Sequence, residues 1–438
     1  MHPSPQLTPT GAAAALLLVA ALLLTPGAEA QPVPSPSPEP EPGSELLVYL
    51  LTMGPGDAVW ERFGHNALRV VDTFAGTDVS YNWGIFDFQQ EDFIPRFLRG
   101  EMLYSMAPFP TERMVASYVR SDRSVVLQEL NLTPSQRAAL RDYAEWNSLP
   151  ENRDYRYDYF LDNCSTRVRD VLDRVLGGFL RDEFAHAPTG TSYRTHTRRL
   201  TAVDPFVFTG MDLLLGSPGD RPISVWEEMF LPMTLRDAAR RTTVPREDGR
   251  EVPLVLREEI LYQAARPLEP LRPPVWLHWY LLLGSAAGVA LAWLGRRAGT
   301  ALRGGTPSAG SRLALGVAGT IWSLLAAVAG IILVGVLFTD HHFMYRNENL
   351  LHGNPISLLV ALLLPASMVG GRVAPLLRRA AWLVVGLSTL GLFLKLLPWS
   401  VQGNGILIAL ALPVHLGLAV ALSSLPAMHG REGDPAGG

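Results

Sequence analysis

Cys164 is the only cysteine among 438 residues, and it stands in the context Asp162-Asn163-Cys164-Ser165. A thiol can act as a nucleophile and carry a covalent intermediate once a base has taken its proton. It can also be a small buried hydrophobe with no chemical role. With one cysteine no intrachain disulfide is open to it, and an unpaired thiol in an oxidising compartment is a liability unless it is used. Val168, Val171, Leu172 and Val175 follow at helical spacing, and Gly177-Gly178 ends the pattern. Asp162 or Asn163 suits the N-cap of that helix. Cys164 is therefore expected in the first helical turn, where free N–H groups and the macrodipole favour a thiolate and lower the thiol pKa.

A thiol nucleophile needs a base and, preferably, a third group that orients the base. Of ten histidines, His65, His186 and His196 lie within the sequence of the charged, water-soluble portion. His186 and His196 fall in polar segments that read as surface loops. His65, in Arg62-Phe63-Gly64-His65-Asn66-Ala67-Leu68, stands at the start of a predicted strand and is the best candidate base.

The elements that must position these residues alternate between strand and helix. Leu46–Thr52, Ala67–Val71, Val79–Trp83 and Ser124–Leu130 carry β-branched and apolar runs bounded by turn residues. Thr133-Pro134-Ser135-Gln136 is a helix start with a cap, a proline at the first position and a capping box, and the helix should end near Ser148.

Charge divides the chain. Charged residues are common up to about Arg266 and sparse beyond Val275, and the net charge of −4 gives no basic character suited to nucleic acid. An apolar run over Gly11–Leu24 followed by Ala28-Glu29-Ala30 reads as an export signal over 1–30, although its first ten residues carry no Lys or Arg. A proline-rich linker (31–44) contains no cysteine that could take an N-terminal lipid. A catalytic domain (45–270), a membrane domain (271–425) and a cytoplasmic tail (426–438) complete the expected division. Five apolar stretches over 276–294, 313–338, 356–371, 381–397 and 405–423 are each about long enough for a hydrocarbon core of ~30 Å. Arg296, Arg297, Arg303 and Arg312, and then Arg372, Arg378 and Arg379, mark two loops as cytoplasmic, which puts the soluble domain on the outer side of the cytoplasmic membrane. The outer loop Thr339–Pro355 holds His341, His342, Asn347, Asn349 and Asn354. Its spacing fits no helical zinc pattern, so no metal is expected, and it reads as a polar surface at membrane level that faces the substrate.

Gly64-His65, then Tyr81-Asn82-Trp83-Gly84-Ile85-Phe86-Asp87-Phe88, then Asn163-Cys164-Ser165 resemble the Lnb-type periplasmic domain. The likeness continues through Asp212–Pro232 to Asn349-Leu350-Leu351 and Asn354-Pro355; Ser165 stands where the family more often has threonine. The resemblance implies an α+β fold similar to circularly permuted papain-like domains of the NlpC/P60 and lecithin:retinol acyltransferase type, ahead of an α-helical polytopic membrane domain. It implies Cys164 as nucleophile, His65 as base and Asn82 as the orienting residue, with no cofactor. Family members from Bacteroidota are associated with lipoprotein N-acylation, so the implied reaction moves an acyl chain from phospholipid to a lipoprotein N-terminus through a thioester. Two other readings use the same residues: an envelope cysteine peptidase or amidase of NlpC/P60 type, and a non-catalytic envelope scaffold whose cysteine is structural.

Overall fold

The computed structural model describes residues 41–87, 89–302, 309–370 and 372–427. The expected signal, most of the linker, Phe88, Arg303, Gly371 and residues 428–438 of the tail lie outside the described residues.

β1 (Leu46–Met53) is apolar at nearly every position and buried along almost its whole length, as a central strand covered on both faces must be. Around it β2 (His65–Asp72), β3 (Thr77–Ile85), β4 (Leu103–Pro110), β5 (Val125–Leu130), β6 (Asp154–Arg156) and β7 (Val255–Tyr262) complete an antiparallel sheet in the order β7-β5-β1-β2-β3-β4-β6. Helices α1 (Phe93–Arg99) and α2 (Thr111–Arg120) flank β4 in sequence, and α3 (Pro134–Ser148) and α4 (Cys164–Val175) flank β6. α5 (Tyr193–Thr201), α6 (Pro205–Leu214) and α7 (Pro232–Arg241) follow before the chain returns to the sheet as β7.

Strand periodicity sorts the side chains into two cores. Leu46, Val48, Leu50, Leu68, Val70, Tyr81 and Trp83 pack with Leu140 and Ala144 of α3, Val168, Val171 and Leu172 of α4, and Leu235 of α7. The alternate residues Tyr49, Leu51, Met53 and Ala67 pack with Met114 of α2. The α3 capping box forms as its sequence predicts: Gln136 N donates to Thr133 Oγ1 at 3.2 Å and Thr133 N to Gln136 Oε1 at 2.9 Å.

Among the described residues, five stretches are long and apolar enough to cross a membrane: α8 (Leu277–Leu302), α9 (Ala309–Val336), Glu348–Gly370 with α10 (Ile356–Gly370) at its end, α11 (Pro375–Leu394) and α12 (Gly405–Ser423). α11 starts at Pro375 rather than at Ala381, because a proline is well suited to a first helical position, so Arg378 and Arg379 belong to the helix and not to a loop. α8 and α12 approach closely where side chains are absent. A Cβ on Gly288 would lie 2.2 Å from the Pro413 carbonyl oxygen, and one on Gly417 would lie 2.1 Å from that of Gly288.

The soluble and membrane portions are joined by polar contacts that neutralise each other. Asn347 Nδ2 donates to the Leu213 and Leu214 carbonyls, both at 2.9 Å, and Asn349 Nδ2 to Leu213 at 2.9 Å. Gln402 Nε2 donates to the Leu215 carbonyl at 3.1 Å. These amides satisfy carbonyls at the end of α6 that the helix itself leaves unpaired. Arg194, almost fully buried, bonds Asp212 and Asp220, and Asp220 also accepts from Gly403 N at 3.0 Å. Phe343 enters an aromatic cluster with Phe160 (4.5 Å) and Tyr193 (5.0 Å). Residues from Pro42 onward accordingly form a single compact unit.

Candidate active site

Asn163, not Asp162, caps α4. Its Oδ1 accepts from Ser165 N (2.8 Å) and Thr166 N (2.9 Å), and Thr166 Oγ1 accepts from Asn163 N at 2.8 Å. Asn163 Nδ2 in turn donates to the Tyr159 and Phe230 carbonyls, which fixes the cap from outside the helix. Asp162 instead pairs with Arg167. Cys164 is the first residue of α4 and is buried. Ser165 Oγ lies 2.8 Å from Asn66 Oδ1 and 2.7 Å from the Met229 carbonyl, so the helix start is tied to β2.

His65 is the first residue of β2, and its Nε2 lies 3.1 Å from Asn82 Oδ1 on β3. Asn82 Nδ2 donates to the Ser80 carbonyl at 3.0 Å, so the amide oxygen is the atom turned to the imidazole. An oxygen acceptor there requires the proton on Nε2, which leaves Nδ1 as the nitrogen with a free lone pair. Tyr118 of α2 stacks on the His65 ring at 6.1 Å, and the Arg123 guanidinium lies over Tyr118 at 4.6 Å.

Gly84 brings the cysteine to this pair. Counting on from the Ala67–Asn82 partners, Gly84 falls opposite His65. It has φ +91°, interrupts the β3–β4 register, and a Cβ there would lie 3.4 Å from Cys164 Cβ. The missing side chain lets the start of α4 approach the strand carrying Asn82. Tyr157 lies on the same spot, 3.8 Å from that Cβ position, and stacks on Tyr104 at 3.9 Å.

Burial dominates the electrostatics. It pushes His65 down to about 4 against the favourable Asn82 bond, with Arg123 adding to the fall, so the imidazole is neutral at pH 7. It pushes the Cys164 thiol up, although the Asn66 and Ser165 N–H groups favour the thiolate. The lowered thiol pKa expected from the helix start is therefore corrected: desolvation outweighs the helix end. The pair therefore rests as neutral thiol and neutral imidazole.

His196 also departs from expectation. It lies on α5, buried, with Nε2 2.8 Å from Glu228 Oε1 and Nδ1 accepting from Arg199 Nε at 3.0 Å. His186 is exposed, as its sequence suggested. The loop residues meet the soluble domain, but mostly as structural contacts. His341 Nε2 bonds the Phe97 carbonyl at 3.1 Å, and His342 sits edge-on to Tyr345. Asn347 and Asn349 spend their amide N–H groups on α6. Asn354 is buried and its amide has no partner among the described residues. Among the described residues, none of the five makes a hydrogen bond or ring contact with Cys164. The sequence motif includes Gly84 without showing its role at the site, and no spacing singles out Tyr118 or Tyr157; the lone glycine inside the β3 pattern is the available signal.

A sheet domain with Cys164, His65 and Asn82 at one end, followed by five helices of membrane length among the described residues, is the architecture of a polytopic membrane protein with an N-terminal α+β domain. Residues 42–199 match the Lnb N-terminal periplasmic domain, in line with the motifs. The further likeness over 212–232 and 349–355 lies beyond the matched segment. No curated protein and no solved structure matches the chain.

Proposed function

We propose that the protein is a membrane-bound cysteine acyltransferase that moves an acyl chain from phospholipid to the N-terminus of a lipoprotein. The observation that carries the reading is the His65–Asn82 bond beside the helix that begins with Cys164. The order histidine, asparagine, cysteine and the cysteine at a helix start fit the permuted papain-like arrangement. The periplasmic-domain family and the membrane helices support a site outside the cytoplasmic membrane.

The steps follow from the residue types. Cys164 Sγ attacks the ester carbonyl of the lipid while His65 Nδ1 takes the thiol proton. The tetrahedral intermediate collapses, the lipid oxygen leaves with the proton from His65, and a thioester remains on Cys164. The amine of the acceptor then attacks the thioester carbonyl, giving up a proton to His65, and the amide forms as Sγ leaves and is reprotonated. Ser165 N and Thr166 N are already bonded to Asn163, so the Cys164 N–H is the helix-start donor left for the oxyanion. An acceptor amine suits a thioester, which amines attack readily and water slowly.

Mass spectrometry of a lipoprotein N-terminus after expression in a host lacking N-acylation tests the reading. A third acyl chain is expected, together with a hydroxylamine-labile acyl adduct on Cys164. An unchanged diacyl form, with the folded protein present, overturns it; cleavage of peptidoglycan peptides by the same preparation would favour the peptidase reading instead.

A further inference from the structure

α1 exposes three large apolar side chains on one face: Ile94 at 61%, Phe97 at 51% and Leu98 at 62%. Their spacing of three and four residues stacks them on one side of the helix. A soluble surface rarely presents such a patch without a partner. The helix is also held at a defined level. Asp340 N donates to the Arg99 carbonyl at 2.7 Å, and the His341 ring bonds the Phe97 carbonyl. Asp340 is only four residues beyond Val336, the end of the apolar helix α9, so it lies at most about 14 Å from that end. The intervening Leu337 and Phe338 are exposed as well, Phe338 at 83%. The apolar surface of the span therefore runs on into that of α1.

We infer that α1 lies in the interfacial layer of the bilayer, with Ile94, Phe97 and Leu98 among lipid acyl chains and Arg96 and Arg99 beside lipid phosphates. The occupant of the patch is lipid, because the chain ties the patch to the end of a membrane helix. Basic side chains with apolar stems suit that boundary. The inference is independent of the reaction that Cys164 performs. It gives the soluble domain a second hold on the membrane at the end of the sheet that carries His65, and it leaves the opposite end, with Phe74 in the β2–β3 turn, in water.

Depth measurement tests it. In the full chain with Cys164→Ala, nitroxide labels are placed singly at Ile94→Cys, Leu98→Cys and Phe74→Cys in nanodiscs of phosphatidylethanolamine and phosphatidylglycerol. Phe74, 92% exposed, is the water-facing control. The expected result is collision with oxygen favoured over collision with a water-soluble nickel chelate at 94 and 98, and the reverse at 74. Equal behaviour at all three positions overturns the inference. So does shielding of 94 and 98 from both reagents, which would mean a protein partner on the patch.

Discussion

Asn82 can offer His65 only its amide oxygen, because Nδ2 is bonded to the Ser80 carbonyl on the same strand and Oδ1 stands 3.1 Å from the imidazole. The orientation of one amide thus decides which ring nitrogen carries the proton. Asn82→Ala is expected to lower kcat on the order of a hundredfold, the cost of a misplaced catalytic group, with KM little changed. Asn82→Asp is expected to raise the His65 pKa from about 4, since a carboxylate favours the imidazolium. Its acid limb in kcat/KM should move to higher pH; an unmoved limb would contradict the pairing.

The pH profile of the wild type follows from the same burial. His65 holds its base form down to about pH 4, so the acid limb of kcat/KM should lie near there rather than near the ordinary 6.5. Between those values the unfolded chain binds a proton that the folded protein does not, so stability falls as pH drops through the window. Thermal melts from pH 7 to pH 4 measure it.

Cys164 should react slowly with iodoacetamide at neutral pH. Its thiol is raised by burial, so alkylation should climb through and beyond pH 9 rather than level off near pH 7. A plateau at neutral pH would mean a preformed thiolate and a different resting state.

Gly84→Ala should damage the site more than the fold. The left-handed φ of +91° costs an L side chain about 1–2 kcal/mol, seen as a lower Tm. The new methyl would also come into contact with Cys164 Cβ at 3.4 Å, and kcat should fall by more than the lost stability explains.

Arg194→Ala removes a guanidinium that is almost fully buried and bonds two carboxylates and the Leu215 carbonyl. Breaking a buried pair from one side costs about 3–5 kcal/mol, here with Asp212 left to Arg198 alone. A lower Tm in detergent and faster proteolysis between the two portions are expected.

Elements written in local patterns were legible in the sequence. The α3 capping box and strands β1, β2, β3 and β5 fall where period and turn residues put them. β4 was not legible, since Pro108 and Pro110 argue against a strand. Both lie beyond Leu103–Ser105, the part of β4 that β6 pairs, so their missing N–H groups cost no bond on that side. β7 was hidden for a different reason: its partner β5 lies more than a hundred residues earlier. The site divides in the same way. Cys164 at a helix start and His65 at a strand start are local facts. The raised thiol pKa and the burial of His196 against Glu228 depend on residues far along the chain, and no spacing rule reports them.

The matched family segment ends at residue 199, but its structure does not close there. The cap of the Cys164 helix leans on the Phe230 carbonyl, Ser165 reaches that of Met229, and the outer edge of β5 is covered by residues 255–262. The Asp212–Leu215 carbonyls are in turn satisfied from the membrane loops. A fragment cut at the homology boundary would therefore present an open strand and a helix cap with a missing acceptor. The smallest piece that keeps every one of these bonds is nearly the whole chain, so the module that is inherited and the module that folds are different lengths of polypeptide.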